Sequence, residues 1–219
     1  RQRQMCIRDR IIVVGGSGQH ASVVYEAAVL SGMAVAGLAA MDAAAVAPAF
    51  DCPWLGSLGA IADGGIARGD RFIAACGSNA LRREISETLL AWGAELASVV
   101  HPAAIVSPSA CIGAGTAVLA GAIIGPRAVL GCGVIVNHAA SVDHDGAVGD
   151  YGNLCPGARL AGGVRMAPGG FVGINAAVLP GLYLAENAVV GAGAVVTRDV
   201  AADDTVVGIP AVSVRRGRP

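Results

Sequence analysis

From Ile105 to Val200 the chain repeats every six residues without an insertion, and this constrains the fold more than any other feature. The segment divides into sixteen hexapeptides, beginning IVSPSA, CIGAGT, AVLAGA and ending VVGAGA, VVTRDV. The second position is aliphatic in all sixteen, from Val106 through Val142 and Leu160 to Val196. The sixth is Ala, Gly, Thr, Val or Leu throughout, and the third is Gly in six. A period of six matches neither the 3.6 of a helix nor the 2 of an alternating strand. It matches a coil of short strands with a corner after each hexapeptide. The aliphatic side chain then points inward and stacks on its equivalent one coil away. The small sixth residue lets the chain pass close to the core, and the third-position glycines are expected to relax the backbone near each corner. Three hexapeptides per turn make a triangular prism of a little over five coils, roughly 25 Å tall at about 4.8 Å per coil. The period does not set the hand of the coil.

Residues 11–100 have a different pattern. Residues 11–14, IIVV, read as a short buried strand that runs into Gly15-Gly16-Ser17-Gly18-Gln19-His20-Ala21. Val23, Val24, Ala27, Ala28 and Leu30 come next at helical spacing, with Gly32 as the stop. Residues 34–38 and 71–75 read as strands, 81–92 as a helix and 96–100 as a last strand. Strands alternating with helices imply a parallel sheet. The chain is therefore expected to hold an α/β domain over 11–100 and the prism domain over 101–219, with hexapeptides at 105–200 and a short tail. Residues 1–10, RQRQMCIRDR, do not fit the rest of the chain. They look like translated adapter sequence and read as a non-native segment with the native start lost or replaced.

Composition narrows the class. Fifteen Lys and Arg oppose sixteen Asp and Glu, a formal charge of −1, which argues against a nucleic-acid binder. Hydrophobic residues make up 54%, which excludes disorder. The most apolar stretch, residues 117–136, carries one charge, Arg127, but five Gly or Pro residues, which suits no spanning helix. No membrane insertion is expected. None of the six cysteines has C-x-x-C spacing, so they read as reduced thiols of a cytoplasmic protein.

There are four histidines, at 20, 101, 138 and 144. His144 lies in Val142-Asp143-His144-Asp145. A neutral imidazole there could take a proton from an attacking amine or hydroxyl, with Asp145 or Asp143 holding the ring. The residue types alone leave it open between a base and a solvated corner. His138 reads as a surface side chain. His101, before Pro102 at the junction, reads as a structural cap. The G-x-G-x-x-A run Gly16, Gly18, Ala21 sits between a strand and a helix, the right context for a phosphate at a helix N-terminus. Plain helix–strand packing explains it equally.

Taken together, the Gly-rich strand–loop–helix, "SVVHPAAIVSPSA", "VDHDGAVGDYGNLCPGA" and "VVGIPA" resemble the NeuD/PglD-type sugar acetyltransferases of the hexapeptide-repeat class. The resemblance runs from about Ile11 to Arg216. It implies a Rossmann-like α/β nucleotide-sugar-binding subdomain followed by a left-handed parallel β-helix. It also implies acetyl-CoA as co-substrate, a nucleotide-linked amino sugar as acceptor, a cytoplasmic homotrimer with sites between subunits, and no metal. Residue by residue, it makes His144 the base and Asp145 its partner. It assigns Asn153, Gly162, Ile174 and Ala192 to acetyl-CoA. To the acceptor it assigns Gly16, Ser17, Gly18, Gln19, His20, Asp42, Asn137 and Asp143. Gly162 comes eighteen residues after His144, one full coil, and should stack beside it, where its N–H could meet the thioester oxyanion. Arg215, Arg216 and Arg218 could meet CoA phosphates or form a solvated tail.

The sequence departs from the family at three places. Gln19 or His20 stands for the family's usual loop histidine, depending on a one-residue gap. Asn153 stands where relatives carry a second His; it can donate a hydrogen bond but cannot relay a proton near neutral pH. The acidic residue expected directly after the second strand is displaced to Asp42. Three alternatives stay open: O-acetylation of a sialic acid or related sugar hydroxyl, a zinc hydratase of the γ-carbonic anhydrase type, and a non-catalytic scaffold. The hydratase needs three His at a metal, and the prism has only His138 and His144.

Overall fold

The computed structural model describes residues 10–15, 18–42, 52–63 and 70–214. The chain divides into two compact units, 1–99 and 100–219.

Among the described residues the first unit is a five-stranded sheet with three helices. Its elements in chain order are β1 (Arg10–Val14), α1 (Gln19–Leu30), β2 (Ala34–Ala40), β3 (Trp54–Ser57), α2 (Leu58–Asp63), β4 (Asp70–Ala74), α3 (Asn79–Ala91) and β5 (Glu95–Leu96). All neighbours pair in parallel, in the order β3-β2-β1-β4-β5. Residues 11–14 are all buried, so both faces of β1 are covered, as a continuous apolar run in a parallel sheet requires. On one face Ile12, Val14 and Phe72 pack with Ile85 and Leu89 of α3. The strand order reverses direction at β1, so the carboxyl ends of β1, β2 and β4 form the crevice where such sheets bind ligands.

Three sequence expectations shift here. Strand β3 and helix α2 fall in a segment with no readable period. The strand expected at 96–100 is two short pieces, Glu95–Leu96 and Val99–Val100, of which only the first joins this sheet. Strand β2 runs two residues past the expected 34–38, so Asp42 stands at the second position after its end.

In the second unit each hexapeptide contributes a two-residue strand at its first and second positions, from Ile105–Val106 to Val195–Val196. Every strand pairs in parallel with the one eighteen residues away, for example Val142 with Ile124 and Leu160. Three sheets result, one per face of a triangular prism. The second-position residues form one buried column, flanked by small sixth-position residues such as Ala128, Ala140, Ala158 and Val164.

The corners differ from the expectation. The left-handed backbone falls at the fifth position of the hexapeptide, not at the third. Arg127, Ala139, Asp145 and Tyr151 have φ between 54° and 59° there, and Gly163 has 70°. Third-position glycines instead allow close approach between coils: a Cβ on Gly125 would lie 2.7 Å from the His144 amide nitrogen. The fifth-position N–H donates to the preceding coil, as Asp145 does to the Pro126 carbonyl at 3.0 Å. Asp tolerates φ > 0 better than most residues, because its short side chain can satisfy nearby amides. Among the described residues no helix is long and apolar enough to cross a membrane.

Candidate active site

His144 occupies the fourth position of its hexapeptide, immediately before the left-handed corner residue Asp145. That placement settles the direction that parity left open. The ring points outward, with its side chain 56% exposed. His144 Nδ1 lies 2.8 Å from Asp145 Oδ2. The neutral ring therefore carries its proton on Nδ1 as donor to the carboxylate, which leaves Nε2 as the open lone pair. Asp143 does not hold the ring: its Oδ1 accepts the His144 backbone N–H at 2.7 Å.

Asp145 has a second partner that the repeat pattern does not reveal. Arg127, eighteen residues earlier and so on the same corner one coil away, grips the carboxylate with two bonds. Nε donates to Oδ1 at 2.6 Å and Nη2 donates to Oδ2 at 2.8 Å. The guanidinium bonds, followed by the His144 bond, hold the Asp145 carboxyl well below the usual carboxylate range, and the same pair raises Arg127 further. Reading the sequence at a spacing of eighteen instead of six would have found this pair.

Gly162 lies on the same corner in the coil after His144. A Cβ at Gly162 would stand 2.5 Å from His144 Nε2 and 2.6 Å from Cε1, so glycine is what leaves room for the ring. The Gly162 carbonyl accepts from Gly181, while its N–H donates to no group among the described residues. Nε2, without a bond among the described residues, thus lies over Gly162, whose N–H is likewise unengaged.

The other residues assigned to acetyl-CoA lie elsewhere on the chain. Ile174 and Ala192 occupy fourth positions on a second corner, in the column of His138 and Pro156, and both are exposed. Asn137 belongs to that corner too, its Oδ1 accepting the His138 N–H at 2.8 Å. Asn153 lies on the third face, 4% exposed, stacked between Ile135 and Phe171. Within one chain these residues and His144 are on different edges. His101 behaves as a cap: its Nδ1 accepts the Ala103 N–H at 2.9 Å.

In the first unit, Gly18 is the N-cap of α1 with no side-chain cap bond, and the first turn carries no acidic residue. Gln19 and His20 are the first two residues of that helix, not loop residues. Gly16 and Ser17 lie outside the described residues, as do Arg215, Arg216 and Arg218. Gly15 permits a tight approach, since a Cβ there would collide with the Ala75 carbonyl oxygen. The loop after β4 carries no motif that marks it in the sequence. There Ala75 N–H donates to Val14 O at 2.6 Å, Ser78 caps α3, and the buried Arg82 donates to Cys76 O at 3.0 Å. Asp42 is exposed beyond β2. The carboxyl ends of β2, β1 and β4 therefore meet at Gly15, whose N–H donates to Ala39 O at 3.0 Å. Among the described residues no group of three His, Cys, Asp or Glu could hold a metal ion.

Stacked hexapeptide coils bearing a carboxylate-held imidazole on an open corner define a hexapeptide-repeat acyltransferase. No family model and no curated protein matches the chain. Solved structures do. The acetyltransferase domain of PglB from Neisseria gonorrhoeae FA1090 is 32% identical, with a TM-score of 0.86, covering 94% of this chain and 100% of that one. PerB from Caulobacter crescentus, solved in complex with CoA and GDP-perosamine, is 34% identical, with a TM-score of 0.83 and coverage of 93% and 96%. WeeI from Acinetobacter baumannii AYE, 24% identical over 93% of this chain and 99% of that one with a TM-score of 0.82, shares the fold. The chain belongs to the sugar acetyltransferases of the hexapeptide-repeat family, and it is an enzyme of that class. Its prism is the left-handed parallel β-helix of that family, preceded by the α/β unit.

Proposed function

We propose that this enzyme moves acetyl from acetyl-CoA to the amino group of a nucleotide-linked amino sugar, with His144 as general base. The observation that carries this reading is the pairing of an open Nε2, fixed by the Asp145 bond at Nδ1, with the unengaged Gly162 N–H beside it. The neutral acceptor amine attacks the thioester carbonyl and passes a proton to His144 Nε2. Asp145 stabilises the imidazolium that forms. The Gly162 N–H donates to the oxygen that gains negative charge. Collapse breaks the carbon–sulfur bond, and the imidazolium returns the proton to the departing thiolate of CoA.

The nature of the substrates draws support from relatives. The PglB domain was also solved in complex with acetyl coenzyme A, and PerB with CoA and GDP-perosamine. In this chain the adjacent carboxyl ends of β2, β1 and β4, with Gly15 at the end of β1 and Asp42 two residues past β2, suit a nucleotide diphosphate, with the α1 N-terminus as the phosphate site. Residues 16 and 17 belong to that reading through their sequence alone.

A homotrimer with shared sites completes the reading. Ile174 and Ala192 lie on a different corner from His144 and Gly162, so one acetyl-CoA meets both corners only if a second copy supplies one of them. Exposed Ile105 and Ile123 on one face, and Val129 and Tyr183 on another, offer apolar surface for side-by-side packing. Sedimentation at micromolar concentration is expected to give three chains. The activity is tested by incubating the enzyme with acetyl-CoA and a panel of nucleotide-linked amino sugars and free sugar acids, reading products by mass spectrometry. N-acetylated nucleotide sugar is the expected product. Acetylation confined to sugar hydroxyls would overturn the choice of acceptor.

A further inference from the structure

We propose that Arg127 is a positioning residue for the His144 base: its guanidinium fork clamps Asp145 in the one orientation that receives the Nδ1 proton and keeps Nε2 open. This inference rests on the reading of His144 as the base.

The geometry forms a relay across one coil. Arg127 Nη2 and His144 Nδ1 both bond the same oxygen, Asp145 Oδ2, each at 2.8 Å, while Arg127 Nε bonds Oδ1. The backbone fixes both ends. Arg127 and Asp145 are left-handed corners one coil apart on the same edge, with φ of 58° and 59°. Asp145 N–H bonds Pro126 O, and Arg127 N–H bonds the Ser109 hydroxyl at 3.0 Å. The Arg127 side chain is 65% exposed and that of Asp145 45%. An ion pair so open adds little to stability. A two-bond fork, however, restricts the carboxylate plane in a way one bond does not. Its consequence is therefore orientation. An exposed Asp–His pair without the fork would sample other rotamers, and the ring would follow.

Charge acts in the same direction. Among the described residues, the charged groups bonded to His144 or to its aspartate are Asp143 and Asp145 on its own hexapeptide and Arg127 from the coil before. The coil after presents Gly162 and Gly163, which carry none. With Arg127 in place, the Arg127–Asp145 pair is neutral overall. Without it, an unshared anion 2.8 Å from Nδ1 favours the protonated ring, which cannot act as a base.

The test is kcat against pH for wild type, Arg127→Gln and Arg127→Lys, with His144→Ala as the baseline and a thermal melt for each. Arg127→Gln is expected to lower the plateau by about tenfold, a fraction of the total effect of a general base. It should also move the acidic limb of the profile to higher pH. KM for acetyl-CoA should stay within about twofold and the melt close to wild type, as for a surface ion pair. Arg127→Lys keeps the charge but loses the fork, so it should restore the limb and only part of the plateau. A wild-type limb and plateau in Arg127→Gln, with His144→Ala inactive, would overturn the role of Arg127 alone. Full activity in His144→Ala would instead overturn the base assignment beneath it. Should Arg127→Gln not fold, a wild-type plateau in Arg127→Lys would still refute the fork.

Discussion

The closest test of the corner's geometry is Gly162→Ala. Gly162 has no left-handed φ, so alanine brings no backbone strain. What it brings is a Cβ 2.5 Å from Nε2, 2.6 Å from Cε1 and 3.2 Å from Cδ2 of His144. Ordinary contact begins near 3.4 Å, so the ring must retreat by about 0.9 Å. The ring is exposed and held by one surface bond to Asp145, so the retreat should cost little folding energy. Replacing Gly by Ala at a tolerant position even favours the fold by about 0.4–1 kcal/mol through the unfolded chain. Catalysis is less forgiving: a misplacement of about 1 Å costs on the order of 100-fold. Gly162→Ala is therefore expected to melt at or slightly above the wild-type temperature while kcat falls about 100-fold. Release of free CoA, measured with a thiol reagent, reads the rate, and calorimetry reads the melt. A variant with wild-type kcat would refute the placement of Nε2 as the reacting atom.

The same structure carries expectations for stability and reactivity. Asp145 has its carboxyl depressed by Arg127 and then His144, so its contribution to stability is complete above the unfolded value of about 3.9 and is lost as pH falls through the lower folded value. The small difference in melting temperature between wild type and Asp145→Asn should hold at pH 7 and begin to shrink only below about pH 4. Leu160, 1% exposed between Val142 and Val178 in the prism column, should cost about 2–5 kcal/mol when cut to alanine, read by denaturant unfolding. Burial pushes the Cys76 thiol up to about 11, with Arg82 opposing weakly, and burial also raises Cys155. Alkylation at pH 7.5, read by mass spectrometry, should therefore modify exposed Cys111 and Cys132 at least about tenfold faster than Cys76.

The prism was legible because its core demands one aliphatic residue every six positions and tolerates no slip. The inward column from Val118 to Val196 is buried as the repeat implies. The corner was not legible, because its left-handed position is filled by Gly, Asn, Ala, Asp, Tyr and Arg alike. Those residues share a backbone conformation and not a side-chain property, so no composition signal marks them. The Arg127–Asp145 pair was hidden for a related reason: its partners are eighteen residues apart, a distance that means adjacency only once the coil has three sides. In the front unit, β1 and α1 could be read from their apolar spacing. Strand β3 could not, since all four of its residues are only half-buried and no alternation betrays them. The different corners of His144 and of Ile174 and Ala192 also emerge only from the three-dimensional coil.

The most direct measurement is the turnover of His144→Ala with acetyl-CoA and an accepted nucleotide amino sugar, run beside a thermal melt. The account predicts a loss of about 100-fold to 10,000-fold in kcat, the range of general acid–base catalysis, with the melt unchanged because the ring stands in solvent. A folded variant that turns over at the wild-type rate would contradict it.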